Sequence, residues 1–246
     1  MTAKHPNPPL KGLSVSTLLV IAAVLTAAGM ASTLIAPPGQ DFSTMGNAQL
    51  TAAVILELAS WAALPVFTWV LVLVLRRGVN PWRVTGTLLG LAILSEPFYD
   101  QVNQGKWFAL EAQSPVWGFL LAMLLWAILR STRNSSRMAR AVIVGTVFLA
   151  TIIWAILMNV GTRFGFLSLG VLILVFFLVF ATLWTNENAA MLTAGGLGAM
   201  MLLMPGLGVV LLHYRKPLDD ASWALPKQIW LWAYPVALGI TALVSP

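Results

Sequence analysis

Eight apolar segments, set apart by short polar connections, dominate this chain and decide its solvent. They cover residues 14–36, 48–75, 84–98, 116–129, 138–160, 164–184, 189–212 and 223–244. A bilayer core needs about 20 mainly apolar residues per helix, and most of these segments approach or exceed that. Composition agrees: 59% of the 246 residues are hydrophobic and 9% are charged. Soluble domains carry about 25% charged residues, and surface-to-volume scaling leaves a soluble core no room for this much apolar surface. The expected fold is therefore all-α, a polytopic bundle of about eight transmembrane helices in the cell membrane with the lipid bilayer as its first partner. Residues 1–13 read as a cytoplasmic tail and 14–246 as one membrane domain. The third and fourth segments are short, which predicts small tilt, a partly interfacial position or extension by the polar loop between them.

The basic residues predict orientation. One face of an eight-span bundle receives Lys4, Lys11, Arg76, Arg77, Arg83, Arg130, Arg133, Arg137 and Arg140. The other receives Lys106, Arg163, Arg215, Lys216 and Lys227. The positive-inside rule then places both termini in the cytoplasm. The net charge of +6 is absorbed by these connections, so no nucleic-acid partner is expected. A second reading of the first segment is a secretory signal peptide, with "TAAGMAS" as the small-residue cleavage region. The run is longer than a usual signal core, which favours a span.

Functional candidates are few. The chain has no cysteine and two histidines, His5 and His213, so thiol chemistry and a histidine-built metal centre are excluded. No phosphate-cradling glycine loop or nucleophile elbow is present. Glu57 is the acid set well inside a predicted span, in "TAAVILELASWAALPVF". A carboxyl group at the centre of a membrane helix costs about 2.5–3.5 kcal/mol, so Glu57 is expected to face the bundle and find a partner. In "LGLAILSEPFYDQ", Pro97 removes a backbone donor and disfavours helix at Glu96. The third helix is expected to turn at Ser95-Glu96-Pro97-Phe98 and present Glu96 to a polar recess on the outer face. Ser95, Asp100, Arg163, His213 and Lys227 are the other candidates for that recess. Close helix packing accounts for Gly195, Ala199 and Pro205 in the seventh segment, with a broken helix as the alternative.

Several short motifs resemble the TraX family of polytopic membrane proteins, named for the protein needed to acetylate F pilin and akin to membrane acyltransferases. "RVTGTLLGLAILSEPFYD" resembles that family's Ser-Glu-x-Pro-Phe-Asp stretch. "ASWAALPVFTWVLVLVLRRG" is similar to its second-helix pattern, "VWGFLLAMLLWAIL" stands where it has a Phe-Thr-Leu-rich helix, "RFGFLSLGVLILVFF" resembles its Tyr-Gly-x-x-Gly helix, and "LWAYPVALGITAL" its closing Tyr-Pro-x-His-Leu helix. The motifs keep the family's order over residues 18–243. The departures fall on chemistry. Ala27 and Ala28 stand near the family's Asp-His pair, Ala237 replaces the closing histidine, Trp61 an arginine, and Arg163-Phe164 an Asp-Tyr. Acyl transfer needs a base for the incoming amine or hydroxyl, and alanine cannot supply one. The resemblance therefore implies a degenerate member acting as an accessory subunit beside other membrane proteins. The alternative is an active acetyltransferase using acetyl-CoA, with Glu57 and Glu96 as catalytic carboxyls.

Overall fold

The computed structural model describes residues 12–37, 40–163, 167–216 and 229–244. Lys227, most of the amino-terminal tail and the start of the last predicted segment lie outside the described residues, as does the side chain of Arg163. Ten α-helices form among the described residues: α1 Val15–Ile35, α2 Asn47–Ser60, α3 Ala63–Arg76, α4 Pro81–Gln104, α5 Val116–Ser131, α6 Arg137–Leu157, α7 Leu169–Thr182, α8 Glu187–Met200, α9 Met204–His213 and α10 Ile229–Val244. The remainder includes a two-residue antiparallel pair, β1 Thr162–Arg163 with β2 Leu167–Ser168.

Local chemistry sets most helix starts. Ser14, Ser136, Ser168 and Asn186 each accept a hydrogen bond from the backbone N–H three residues on, satisfying one of the orphan donors of the first turn. Asn80 caps α4 through the N–H of Trp82, with Pro81 at the first helical position.

By length and composition three helical stretches suffice to cross a membrane: Val15–Ile35, Asn47–Arg76 and Arg137–Leu157. The second is α2 and α3 run together. Pro65 has no N–H for the Trp61 carbonyl, which takes the Leu64 N–H at 3.2 Å instead, so the helix tightens at Trp61 and Ala62 without reversing. α7 is the central helix, with nine of its residues buried, among them Phe176, Phe177 and Phe180. Surrounded by protein, it does not have to match the bilayer thickness on its own. α5 meets α7 closely, since a Cβ on Gly118 would lie 3.0 Å from the Gly170 Cα. α6 is peripheral, burying Thr151 and Ala155 and leaving the rest of its apolar surface outward.

Two sequence expectations fail here. The third helix does not end at Phe98. It continues through Pro97 to Gln104 and stops at Gly105, whose φ of 65° makes it a left-handed carboxyl-terminal cap. One lost backbone bond is tolerated in a helix held on both sides by neighbours. The seventh segment, expected as one span, is two helices folded back on each other. Leu202 and Leu203 both take positive φ, 62° and 65°, and reverse the chain. Such residues cost about 1–3 kcal/mol each, so packing has to hold them. It does: a Cβ on Gly198 would lie 2.5 Å from the Gly206 N, which means the two arms touch at their glycines. A Cβ on Gly208 would collide with the Ala62 carbonyl, so α9 rests on the joint between α2 and α3.

The hairpin settles which segments share an end of the bundle. Leu13 pairs with Arg215 as a β-bridge, its N–H donating to the Tyr214 carbonyl at 2.9 Å and its carbonyl accepting from the Lys216 N–H at 2.9 Å. Arg215 meets Glu187 at 3.0 Å. The start of α1, the start of α8 and the end of α9 are therefore all at one end, called proximal below. At the other, distal end, Gln113 bridges Val160 and the Asn159 amide donates to the Glu111 carbonyl at 2.9 Å. α10 runs from proximal to distal. Trp232 borders Gly86 and Gly90 in the proximal half of α4, while Leu238 and Ala242 pack with Met30, Tyr99 and Val102 in the distal half. Leu13 and Val244 thus lie at opposite ends, where the eight-span reading put both termini at the same one.

Candidate functional site

The polar groups most deeply set in the apolar bundle fall into two networks in its distal half. The first is built on α1 and α2. Glu57 is 5% exposed, inward as its cost in hydrocarbon demands. Ser32 Oγ donates to its Oε2 at 3.0 Å, and Trp61 Nε1, one turn on along α2, donates to Oε1 at 3.3 Å. Ser32 sits in the last turn of α1, and its hydroxyl also lies 2.6 Å from the Gly29 carbonyl.

The second network joins α4 to α5 and to the connection before it. The Ser114 N–H donates to both carboxylate oxygens of Glu96 at 3.2 Å, and Trp117 Nε1 donates to Oε2 at 2.8 Å. Ser95 is fully buried, donates to the Ala92 carbonyl at 3.2 Å and has its hydroxyl 3.4 Å from that of Ser114. One turn further, Asp100 is 2% exposed and its Oδ2 accepts from the Ala109 N–H at 2.8 Å. Its Oδ1 is buried without a hydrogen-bond partner, as are both amide atoms of Gln104 another turn along. Helical spacing puts Glu96, Asp100 and Gln104 on one face of α4. Glu96, Ser95 and Asp100, expected to line a recess at a turn, are carried instead on one continuous helix in the distal half, with Ser95 and Asp100 buried.

The other candidates divide. The backbone of Arg163 is at the distal end in β1. His213 is not in the recess. It ends α9 at the proximal end, exposed, with its ring edge-to-face on Tyr214 at 5.7 Å. The single-span reading of 189–212 had carried it to the wrong side. Glu57 and Glu96 draw their described partners from different helices, α1 and α2 for one and α5 for the other. Among the described residues no group of three or more His, Cys, Asp or Glu is placed to hold a metal ion.

Sequence reasoning missed a third polar cluster, at the proximal end. The Arg215 side chain is 6% exposed. It donates to the Leu212 carbonyl at 2.8 Å, pairs with Glu187 and lies 4.9 Å over the ring of Trp69, which stacks on Trp184 at 6.2 Å. Burial pulls its guanidinium down from the ordinary arginine value, and Glu187 opposes that. Arg76 does comparable work at the end of α3, donating to the Ala181 carbonyl at 2.6 Å and covering Trp126 at 5.4 Å. The signal in the sequence is its eleven tryptophans beside a small set of arginines, since an arginine face stacks favourably on an indole ring.

Comparison with family models, with curated proteins and with solved structures finds no match. The likeness to the TraX family therefore rests on the order of its sequence motifs.

Proposed function

We propose that this chain is an integral protein of the cell membrane on a TraX-like scaffold, serving as a non-catalytic subunit of a membrane complex. The observation that carries this reading is the engagement of Glu96. Its carboxylate takes donors from Ser114 and Trp117 and so ties α4 to α5. Glu57, bonded by Ser32 and Trp61, similarly ties α1 to α2. These carboxyls maintain the bundle, and the family's histidines are replaced. Gentle solubilisation is expected to recover the protein with stoichiometric membrane partners; a homogeneous monomer under those conditions argues against the reading.

The proposed membrane arrangement has seven crossings, made by α1, α2 with α3, α4, α5, α6, α7 and α10, plus one re-entrant hairpin, α8 with α9. The hairpin is set apart by its return and not by its length: the chain reverses at Leu202 and Leu203, and Glu187 at its start meets Arg215 just past its end. Charge supports the assignment. Arg76, Arg77, Arg83, Arg130, Arg133, Arg137, Arg140, Arg215 and Lys216 are proximal, whereas Lys106 and Arg163 are distal. The hairpin moves Arg215 and Lys216 to the basic side, so the positive-inside bias sharpens over the eight-span reading. The proximal end, with the amino terminus, is cytoplasmic, and the carboxyl terminus is outside.

A second reading, an acetyltransferase using acetyl-CoA, has one observation in its favour: the buried, unpartnered Oδ1 of Asp100 beside Glu96. Glu96 is the sixteenth residue of α4, about 23 Å along the helix from its proximal start, a long reach for a donor arriving from the cytoplasm. Loss of labelling from radioactive acetyl-CoA in Glu96→Gln would support it; unchanged labelling in both Glu96→Gln and Glu57→Gln rules out the version in which these carboxyls are catalytic.

A further inference from the structure

The surface between α4 and α10 carries a groove of about 710 Å³ that the proposed function does not use. Gly86 and Gly90, one turn apart on α4, form its floor, and a Cβ on either would meet nothing within 4 Å. Its walls include Leu94, Pro97, Phe98 and Trp232. At its distal limit α10 closes on α4, where a Cβ on Gly239 would lie 3.8 Å from the Phe98 ring. From Gly86 to Phe98 the groove runs about 18 Å at 1.5 Å per residue, close to half of a bilayer core of about 30 Å. It therefore has the length of one leaflet. Its proximal mouth carries Arg83, exposed and one turn from Gly86, and no carboxylate engages Arg83 among the described residues. Trp82 beside it is 83% exposed, in the position of an interfacial anchor.

We propose that this groove is a lipid-binding site, holding one acyl chain of an anionic phospholipid whose phosphate sits on Arg83. Guanidinium pairs with phosphate through parallel N–H donors, and in the proposed orientation the proximal leaflet is the anionic, cytoplasmic one. A partner helix is a poorer occupant. It is about 10–12 Å wide and runs through both leaflets, whereas α10 already covers the distal half of α4 through Leu238 and Ala242. The inference rests on the proposed orientation for the choice of leaflet, and the experiment separates the two.

The full-length protein is reconstituted in vesicles of phosphatidylcholine and phosphatidylglycerol containing a trace of either lipid with a photoactivatable group on one acyl chain, and adducts are mapped by mass spectrometry. The expected result is adducts concentrated on α4 and on the peptide containing Trp232. Gly90→Leu fills an open position, removes the packing surface for the chain and lowers their yield towards that of lipid adducts on α6. Arg83→Gln removes the preference for phosphatidylglycerol over phosphatidylcholine. Adducts spread equally over α6, with no response to Gly90→Leu, overturn the site. Because the chain has no native cysteine, Gly90→Cys reports directly on helix docking: disulfide-linked dimers in the membrane replace lipid by a second copy and overturn the proposal. Arg83→Cys labelled by an impermeant maleimide from the outer side overturns the orientation. Labelling from the inner side, with adducts absent from the groove, overturns the lipid site alone.

Discussion

Arg215 shows how one side chain gathers interactions of unequal worth. Its contact with Glu187 is the weaker part, since that carboxylate is 59% exposed and solvent screens the pair. The contacts with the Leu212 carbonyl and the Trp69 face are buried and not screened in that way. Arg215→Ala is expected to cost about 2–4 kcal/mol, and Glu187→Gln less than about 1 kcal/mol, in thermal unfolding of the detergent-solubilised protein. Equal effects would mean that the ion pair dominates. Trp117→Phe keeps the ring and removes the donor to Glu96, with an expected loss of about 1–3 kcal/mol in the same assay. At this scale the sequence was readable where a cost forced the answer. Glu57 had to turn inward, and it did. Arg215 was not readable, because its burial depends on a hairpin that brings Glu187 and Trp69 to it from distant parts of the chain.

The hairpin itself belongs to the scale of elements. Its two arms meet at Gly198 and Gly206, so Gly198→Ala forces the backbones apart and is expected to cost about 1–3 kcal/mol. Gly196 has nothing within 4 Å of its would-be Cβ, and Gly196→Ala is expected to be neutral or to stabilise by up to about 1 kcal/mol through helix propensity. Thermal unfolding of the pair separates packing from propensity. The sequence carried both relevant signals, "GGLGAMMLLMPGLG" for the reversal and Gln104-Gly105 for the true end of α4. Hydropathy hides the first, because leucines and methionines at the reversal are as apolar as a continuing span. Pro97 overshadowed the second. A proline removes one backbone bond, but the packing of Ser95, Tyr99 and Val102 rewards continuing the helix past it.

For the whole molecule, the number of crossings sets the side on which the chain finishes. An alkaline phosphatase reporter fused after Pro246 is expected to be active outside the cytoplasm, and green fluorescent protein at the same place to be dark. Lys216→Cys is expected to react with an impermeant maleimide from the cytoplasmic side. The opposite pattern would restore eight spans. The helical class, with stretches long and apolar enough to cross a membrane, was legible from hydropathy alone. The reversal at Leu202 and Leu203 was not, because periodicity measures how long a segment is and not whether it returns.

The hairpin's arrangement bears on how such a chain can change. Residues 187–213 leave through the surface by which they entered, so excising them would keep α10 threaded in its present direction. In the proposed seven-crossing arrangement, removing any one span would instead invert everything downstream, and the nearby arginines would then oppose insertion. The stretch that makes this molecule look eight-fold is also the one it can vary in length, or lose, without turning the rest of itself over.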